Sequence, residues 1–306
     1  MWAMALAGVV ALGSQHPAQA AGPQGVTISP AFQQVSVMPG ETQHPVSFTI
    51  TNDQATIQTF DLSAADFNTL GESGGLFFVG TNPTALQKKY GLAKWFSLPQ
   101  SSITLQPKQS QTIQAEILNL PDLAPGGHYG ALMLSAQTDQ PASAGGNNIS
   151  LHPIASSLLF VTKVGGDTHG LLLNSVASNR NLFKLPSAVT LRFYNNGNTH
   201  VVPRGVIKLT TAKGKLIAQG VINEDSSIIL PQAYRQIYVP LTKFAGGSAA
   251  SKYELSVDFR FDGYDRYREY RVGFWRVDPG LLSGVVVIVV SGSILVYKRY
   301  NTSFKK

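Results

Sequence analysis

The chain has 306 residues, with 29 glycines, 17 prolines and no cysteine. The missing thiol excludes disulfide staples, thiolate zinc sites, cysteine nucleophiles and Cys-ligated clusters. Charged residues make up only 13% against the roughly 25% of an ordinary soluble domain, while apolar residues reach 43%, enough to build cores and too many for a disordered chain. At roughly 150 residues per domain the length suits two.

Met1 to Gly13 is an unbroken apolar run, and Ala18-Gln19-Ala20 closes the segment that follows it. A short apolar stretch ending in A-x-A is the pattern of a secretory signal peptide, so residues 1–20 are expected to be removed by cleavage after Ala20. At the other end Pro279 to Tyr297 carries no charge, and Leu281 to Tyr297 supplies 17 consecutive residues without a charge. A helix needs about 17–25 such residues to cross the hydrocarbon layer. Lys298, Arg299, Lys305 and Lys306 follow, and positive charge beside a span marks its cytoplasmic side. The expected topology is a single-pass cell-membrane protein, with a membrane helix over 279–297, a basic tail over 298–306 and everything between 21 and 278 outside the cell.

Charge is divided unevenly. Residues 21–169 carry 5 Lys+Arg against 9 Asp+Glu, and residues 170–278 carry 15 against 8. The basic part lies next to the predicted span, where anionic lipid or wall polymer would attract it, so the excess of positive charge is no argument for nucleic acid.

Between the ends, short period-two runs separated by turn residues predict an all-β fold of two sandwiches. Val46, Phe48 and Ile50 alternate with polar residues, as do Ile113, Ala115 and Ile117. Tyr129 to Ser135 and Ser157 to Thr162 read as strands buried on both faces. Ala64 to Leu98 reads as a mixed crossover with a helical turn near Thr84 to Tyr90, and Gln137 to Asn148 as a polar loop. Gly165 to Gly170 is the predicted linker between a first domain at 21–166 and a second at 170–276. In the second, Val189, Leu191 and Phe193 alternate, Lys213-Gly214 marks a hairpin, and Tyr253, Leu255, Val257, Phe259 and Phe261 form one stripe. Asp262-Gly263 then turns into a return strand over about 267–274. About seven strands per domain is the count of an immunoglobulin-like sandwich, here without its disulfide.

Leu123-Ala-Pro-Gly-Gly-His-Tyr-Gly-Ala-Leu-Met-Leu134, taken with Ile28-Ser-Pro, Val37-Met-Pro-Gly-Glu41 and Val46 to Asn52, resembles exported bacterial proteins of the WxL-interacting type and their uncharacterised relatives. Asn195 to Gly205 resembles the second-domain segment of such relatives. The resemblance implies tandem immunoglobulin-like domains, a leader, a membrane anchor, and a role in binding peptidoglycan or surface-protein partners. It supplies no contact residue.

No residue pattern points to catalysis, a cofactor or a metal. The histidines show no ligand spacing, and His128 fits a structural role at a strand entry. Phe77, Phe78, Trp95 and Phe96 are candidates for a recognition surface, or for packing the crossover on the sandwich edge. Arg266, Arg268 and Arg271 interleave with Asp and Glu on one hairpin. They suit either cross-strand ion pairs or contact with a polyanion near the membrane. The expected function is that of a non-enzymatic bacterial surface protein, anchored around Leu281, Tyr297, Lys298 and Arg299, binding cell-wall polymer or another surface protein. The alternative is a chaperone or assembly scaffold that holds a secreted partner by edge-strand pairing.

Overall fold

The computed structural model describes residues 20–21, 25–137, 154–247 and 250–280. The strands are β1 (Ala20–Ala21), β2 (Val26–Ser29), β3 (Phe32–Val37), β4 (Gln43–Asn52), β5 (Gln58–Leu70), β6 (Gly75–Phe78), β7 (Phe96–Ser97), β8 (Ser102–Leu105), β9 (Ser110–Leu118), β10 (Gly126–Ala136) and β11 (Ile154–Lys163). They continue as β12 (Leu172–Ser178), β13 (Ala188–Tyr194), β14 (Arg204–Thr211), β15 (Leu216–Ile222), β16 (Tyr234–Pro240), β17 (Thr242–Lys243), β18 (Ala250–Phe261) and β19 (Tyr264–Val277). One short helix, α1 (Ala85–Tyr90), is closed by a capping box in which Thr84 and Gln87 each bond the other's backbone N–H. The predicted leader, the 137–148 loop after Gln137, and the anchor residues Leu281, Tyr297, Lys298 and Arg299 lie outside the described residues. Of the leader only Ala20 is seen, paired with Ile28. Among the described residues no helix is long and apolar enough to cross a membrane.

The chain forms two compact units, Met1–Phe67 with Phe78–Gly165, and Asn68–Phe77 with Gly166–Lys306. The first unit packs the sheet β1-β2-β4-β9-β7 on strands in the order β3-β11-β10-β5, with β8 also on β5. Alternation dictates the inner faces. Val46, Phe48 and Ile50 of β4 and Ile113, Ala115 and Ile117 of β9 are buried, and they meet Leu62, Leu132, Leu134, Leu159 and Val161 of the facing sheet. The chain crosses from one sheet to the other between β2 and β3, so β3 runs parallel to β11 while most pairs are antiparallel.

The second unit packs β12-β13-β16 on β17-β15-β14-β18-β19. The Tyr253, Leu255, Val257, Phe259 and Phe261 stripe is buried against Val189, Leu191 and Phe193. Its turn, Asp262-Gly263, has Gly263 at φ +75°. Both units close a strand with the same device. Asn52, at the end of β4, donates from Nδ2 to the carbonyls of Thr56, Leu105 and Gln106 and accepts the Gln54 N–H. Asn195, just after β13, donates to the carbonyls of Thr199 and Ile229 and accepts the Gly197 N–H. Each buried amide thereby serves backbone groups that have left the ladder.

Candidate functional site: the sheet edges

The sequence-based expectation of a mixed crossover over Ala64 to Leu98 is corrected here. Most of its first half is strand, because β5 runs on to Leu70 and turns back into β6. Asp66 fixes the next stretch, its Oδ1 accepting the N–H groups of both Leu92 and Ala93 at 2.6 Å. Gly91 bridges Tyr129. The glycines of the G-G-H-Y-G segment serve this approach. A Cβ on Gly130 would stand 2.9 Å from Leu92 Cβ, so the position admits only hydrogen. His128 is buried between the carbonyls of Gly91, 3.0 Å from Nδ1, and Ala124, 2.8 Å from Nε2. Burial pushes its pKa down, opposed by those two carbonyls. It is a packing residue, and no group of three or more acidic or histidine side chains suited to a metal occurs among the described residues.

The four candidate aromatics do not form one surface. Trp95 and Phe96 are core residues, 8% and 7% exposed. Trp95 lies edge-on to His128 and donates from Nε1 to Asp122, and Phe96 packs on Phe48. Phe78 is exposed and Phe77 half-buried. An apolar crossover has to bury its largest rings, and Trp95 and Phe96 are buried together with Phe67 and Tyr90.

The three arginines of β19 are likewise dispersed. Arg271 pairs with Glu269 and Glu254. Arg268 donates to the Leu171 carbonyl and lies over the Phe261 and Tyr264 rings. Arg266 alone has no partner among the described residues. From Arg268 onward β19 pairs regularly with β18, so 268 and 271 lie on opposite faces, while 266 falls in the irregular stretch between Tyr264 and Arg268, and no single cationic patch results. In the second unit Arg192 is the better-engaged guanidinium. It grips Glu72 through Nε at 2.8 Å and Nη2 at 2.5 Å and lies over the Tyr234 ring, while Gln236 adds a third bond to Glu72. These bonds hold the Glu72 carboxyl down at about 2.

What distinguishes the molecule is how its edge strands are finished. An open strand edge is a template for pairing, and proteins ordinarily blunt it with charge, proline, bulges or brevity. β19 carries Asp265, Arg266, Arg268, Glu269 and Arg271. β12 is interrupted by a bulge between Leu173 and Ser175. The β16 edge is occupied at Gln236, whose N–H bonds the Glu72 carbonyl. β6 and β8 have four residues each, and β17 two. β3 has none of these guards. It reads Phe-Gln-Gln-Val-Ser-Val, about 20 Å of uncharged strand. The Ala31 and Val37 carbonyls accept from Leu158 and Val164 of the β11 side. By alternation, the backbone N–H and C=O of Phe32, Gln34 and Ser36 therefore point away from β11, toward an edge that no other described strand pairs. The side chains of these three are exposed, Phe32 at 48% while leaning edge-on against Phe160. The signal for this site was present in the sequence as an uncharged run from Ala31 to Met38, but edge position is a property of topology and cannot be read from one strand.

No family model matches the chain, and no curated protein does. Among solved structures it is similar to a chain of the chaperone–tip adhesin complex of CFA/I fimbriae, with 12% identity and a TM-score of 0.42 over 83% of this chain and 99% of that one. The Salmonella enterica structure of SafA pilin with the SafB chaperone follows, with 12% identity and a TM-score of 0.38 over 81% and 96%. The E. coli chaperone DraB gives 12% and 0.36 over 81% and 96%. Likeness at this level carries no functional meaning of its own. What the sheets define directly is an all-β protein of two immunoglobulin-like sandwiches, the first with a strand edge, that of β3, left unpaired among the described residues.

Proposed function

We propose that the protein is a non-enzymatic assembly scaffold or chaperone, which holds a secreted protein partner by adding a strand of that partner to the open edge of β3. The observation that carries this reading is the outward-pointing backbone of Phe32, Gln34 and Ser36 on an edge with no charge, proline or bulge. Backbone pairing supplies affinity in such a mode, and alternate exposed side chains supply register. In this reading Leu281 to Tyr297 tethers the scaffold to the cell membrane with both sandwiches outside, Lys298 and Arg299 lying on the cytoplasmic side. The partner is a surface or secreted protein rather than cell-wall polymer, since a strand edge offers amides and carbonyls in a 6.6–6.8 Å repeat set by about 3.3–3.4 Å per residue.

The test is co-expression of the full chain with secreted proteins of its host and isolation of a stoichiometric complex. Amide exchange at Phe32, Gln34 and Ser36 is expected to slow in that complex. Gln34→Pro removes one outward donor without touching the β11 ladder, and is expected to abolish the complex. Equal binding by the parent chain and Gln34→Pro would refute the assignment.

A further inference from the structure

The second unit contains a cavity of about 480 Å³ that opens at one end of its sandwich. Its floor is apolar. Leu209, Ile217 and Ala218 are almost fully buried, and Leu185 and Leu241 pack beside them. Its mouth is cationic, formed by Lys184, Lys243 and Arg276 with Asp278 as the one acid. Arg276 is held in place by its bonds to Asp278 at 2.8 Å and to the Phe183 carbonyl at 3.3 Å. Neither lysine has a carboxylate within ion-pair distance among the described residues. The loop bearing Phe183 and Lys184 is fastened to the end of β19, where the Val277 N–H bonds the Leu182 carbonyl. A volume of this size, with apolar residues at its floor and convergent polar groups at its rim, has the usual features of a small-ligand site.

The chain path says where the mouth lies. Three peptide links, through Pro279 and Gly280, join Asp278 to Leu281, the first residue of the 17-residue uncharged run. They reach at most about 11 Å when extended. We infer that this cavity takes an anionic phospholipid from the leaflet that Leu281 to Tyr297 enters, an inference that rests on the tether part of the function proposed above. One acyl chain occupies the floor between the sheets, and the phosphate sits at Lys184, Lys243 and Arg276. Anionic headgroups are the negative charges concentrated at that surface, and each nearby lysine adds attraction. A zwitterionic lipid would leave the excess positive charge of the mouth uncompensated.

The experiment uses the full chain in nanodiscs of phosphatidylcholine and phosphatidylglycerol at about three to one, a mixture chosen to present anionic headgroups. Either lipid carries a photoactivatable group on one acyl chain, and adducts are mapped by mass spectrometry. The phosphatidylglycerol probe is expected to label peptides containing Leu185, Leu209 and Leu241, and the phosphatidylcholine probe to label them about tenfold less. The double variant Lys184→Glu, Lys243→Glu changes two exposed side chains. It is expected to lower phosphatidylglycerol labelling at least about tenfold with the unfolding temperature unmoved. Ser187→Trp, at the rim, is expected to exclude both probes. Adducts on Leu281 to Tyr297 with none in the cavity, or equal labelling by the two lipids, would overturn the inference and leave the tether standing. Absence of adducts on Leu281 to Tyr297 would overturn both.

Discussion

Acidification should weaken the second unit through His200. This side chain is 9% exposed, in the turn that follows β13. Burial is the main cause that depresses its pKa from 6.5 to about 4, with His169 adding to the effect and Asp262 opposing it. The folded state therefore keeps the neutral imidazole while the unfolded chain takes up a proton near 6.5. Stability is fully present above 6.5, is lost as pH falls, and is lost completely below about 4. At about 1.36 kcal/mol per pH unit between the two values, this amounts to about 3 kcal/mol in total, of which about 2 kcal/mol is gone by pH 5. That is a large share of a domain's usual ~5–15 kcal/mol. The assay is urea unfolding of the full chain at pH 7.5 and 5.0, followed by amide exchange so that peptides of the two units are read separately. His200→Gln removes the titration, and the second unit should then lose about 2 kcal/mol less between the two pH values than the parent does. If parent and variant lose stability equally, the imidazole is not held neutral by its surroundings and the reasoning fails.

Asp66→Ala deprives the Leu92 and Ala93 N–H groups of their shared acceptor and should destabilise the first unit by about 2–3 kcal/mol, measured as a fall in urea midpoint at constant m-value. Asn195→Ala leaves the Thr199 and Ile229 carbonyls and the Gly197 N–H without their partner. It should cost the second unit about 2–4 kcal/mol by the same measurement, and Asn52→Ala should do the same in the first unit. The Glu72 carboxyl should titrate near 2 by carbon-detected NMR. In Arg192→Gln it should move up toward its ordinary value, the Gln236 bond alone remaining to lower it.

The strands legible in the sequence were those whose two faces differ. β4, β9, β13 and β18 alternate apolar and polar residues, and the turns at Gly40, Gly214 and Gly263 carry the positive φ their positions demand. The helical turn at Thr84 to Tyr90 was readable because its capping residues are local. β5 was not readable. Its interior includes Asp61, Ser63, Ala64, Ala65 and Asp66, which carry little hydrophobic contrast and owe their strand state to β10 and β8 on either side. The β19 strand runs from Tyr264 to Val277, longer than the 267–274 read from sequence, because pairing with β18 holds it along its length while only Phe274 and, in part, Val272 reach the core. Trp95 and Phe96 had the composition of a recognition surface and the location of core, a distinction that only neighbours in space decide. The β3 edge escaped notice for the same reason, since nothing in Phe-Gln-Gln-Val-Ser-Val announces which side of it lacks a neighbour.

Asn68 to Phe77 belongs to the second compact unit although it lies about a hundred residues upstream of the rest of that unit. A gene fragment beginning at Gly166 would encode every later strand and still lack Glu72, stranding Arg192 above the Tyr234 ring with no carboxylate to meet it. Cutting the coding sequence at the glycine linker thus yields an incomplete C-terminal half, and recombination at that point would separate two pieces that have to be inherited together.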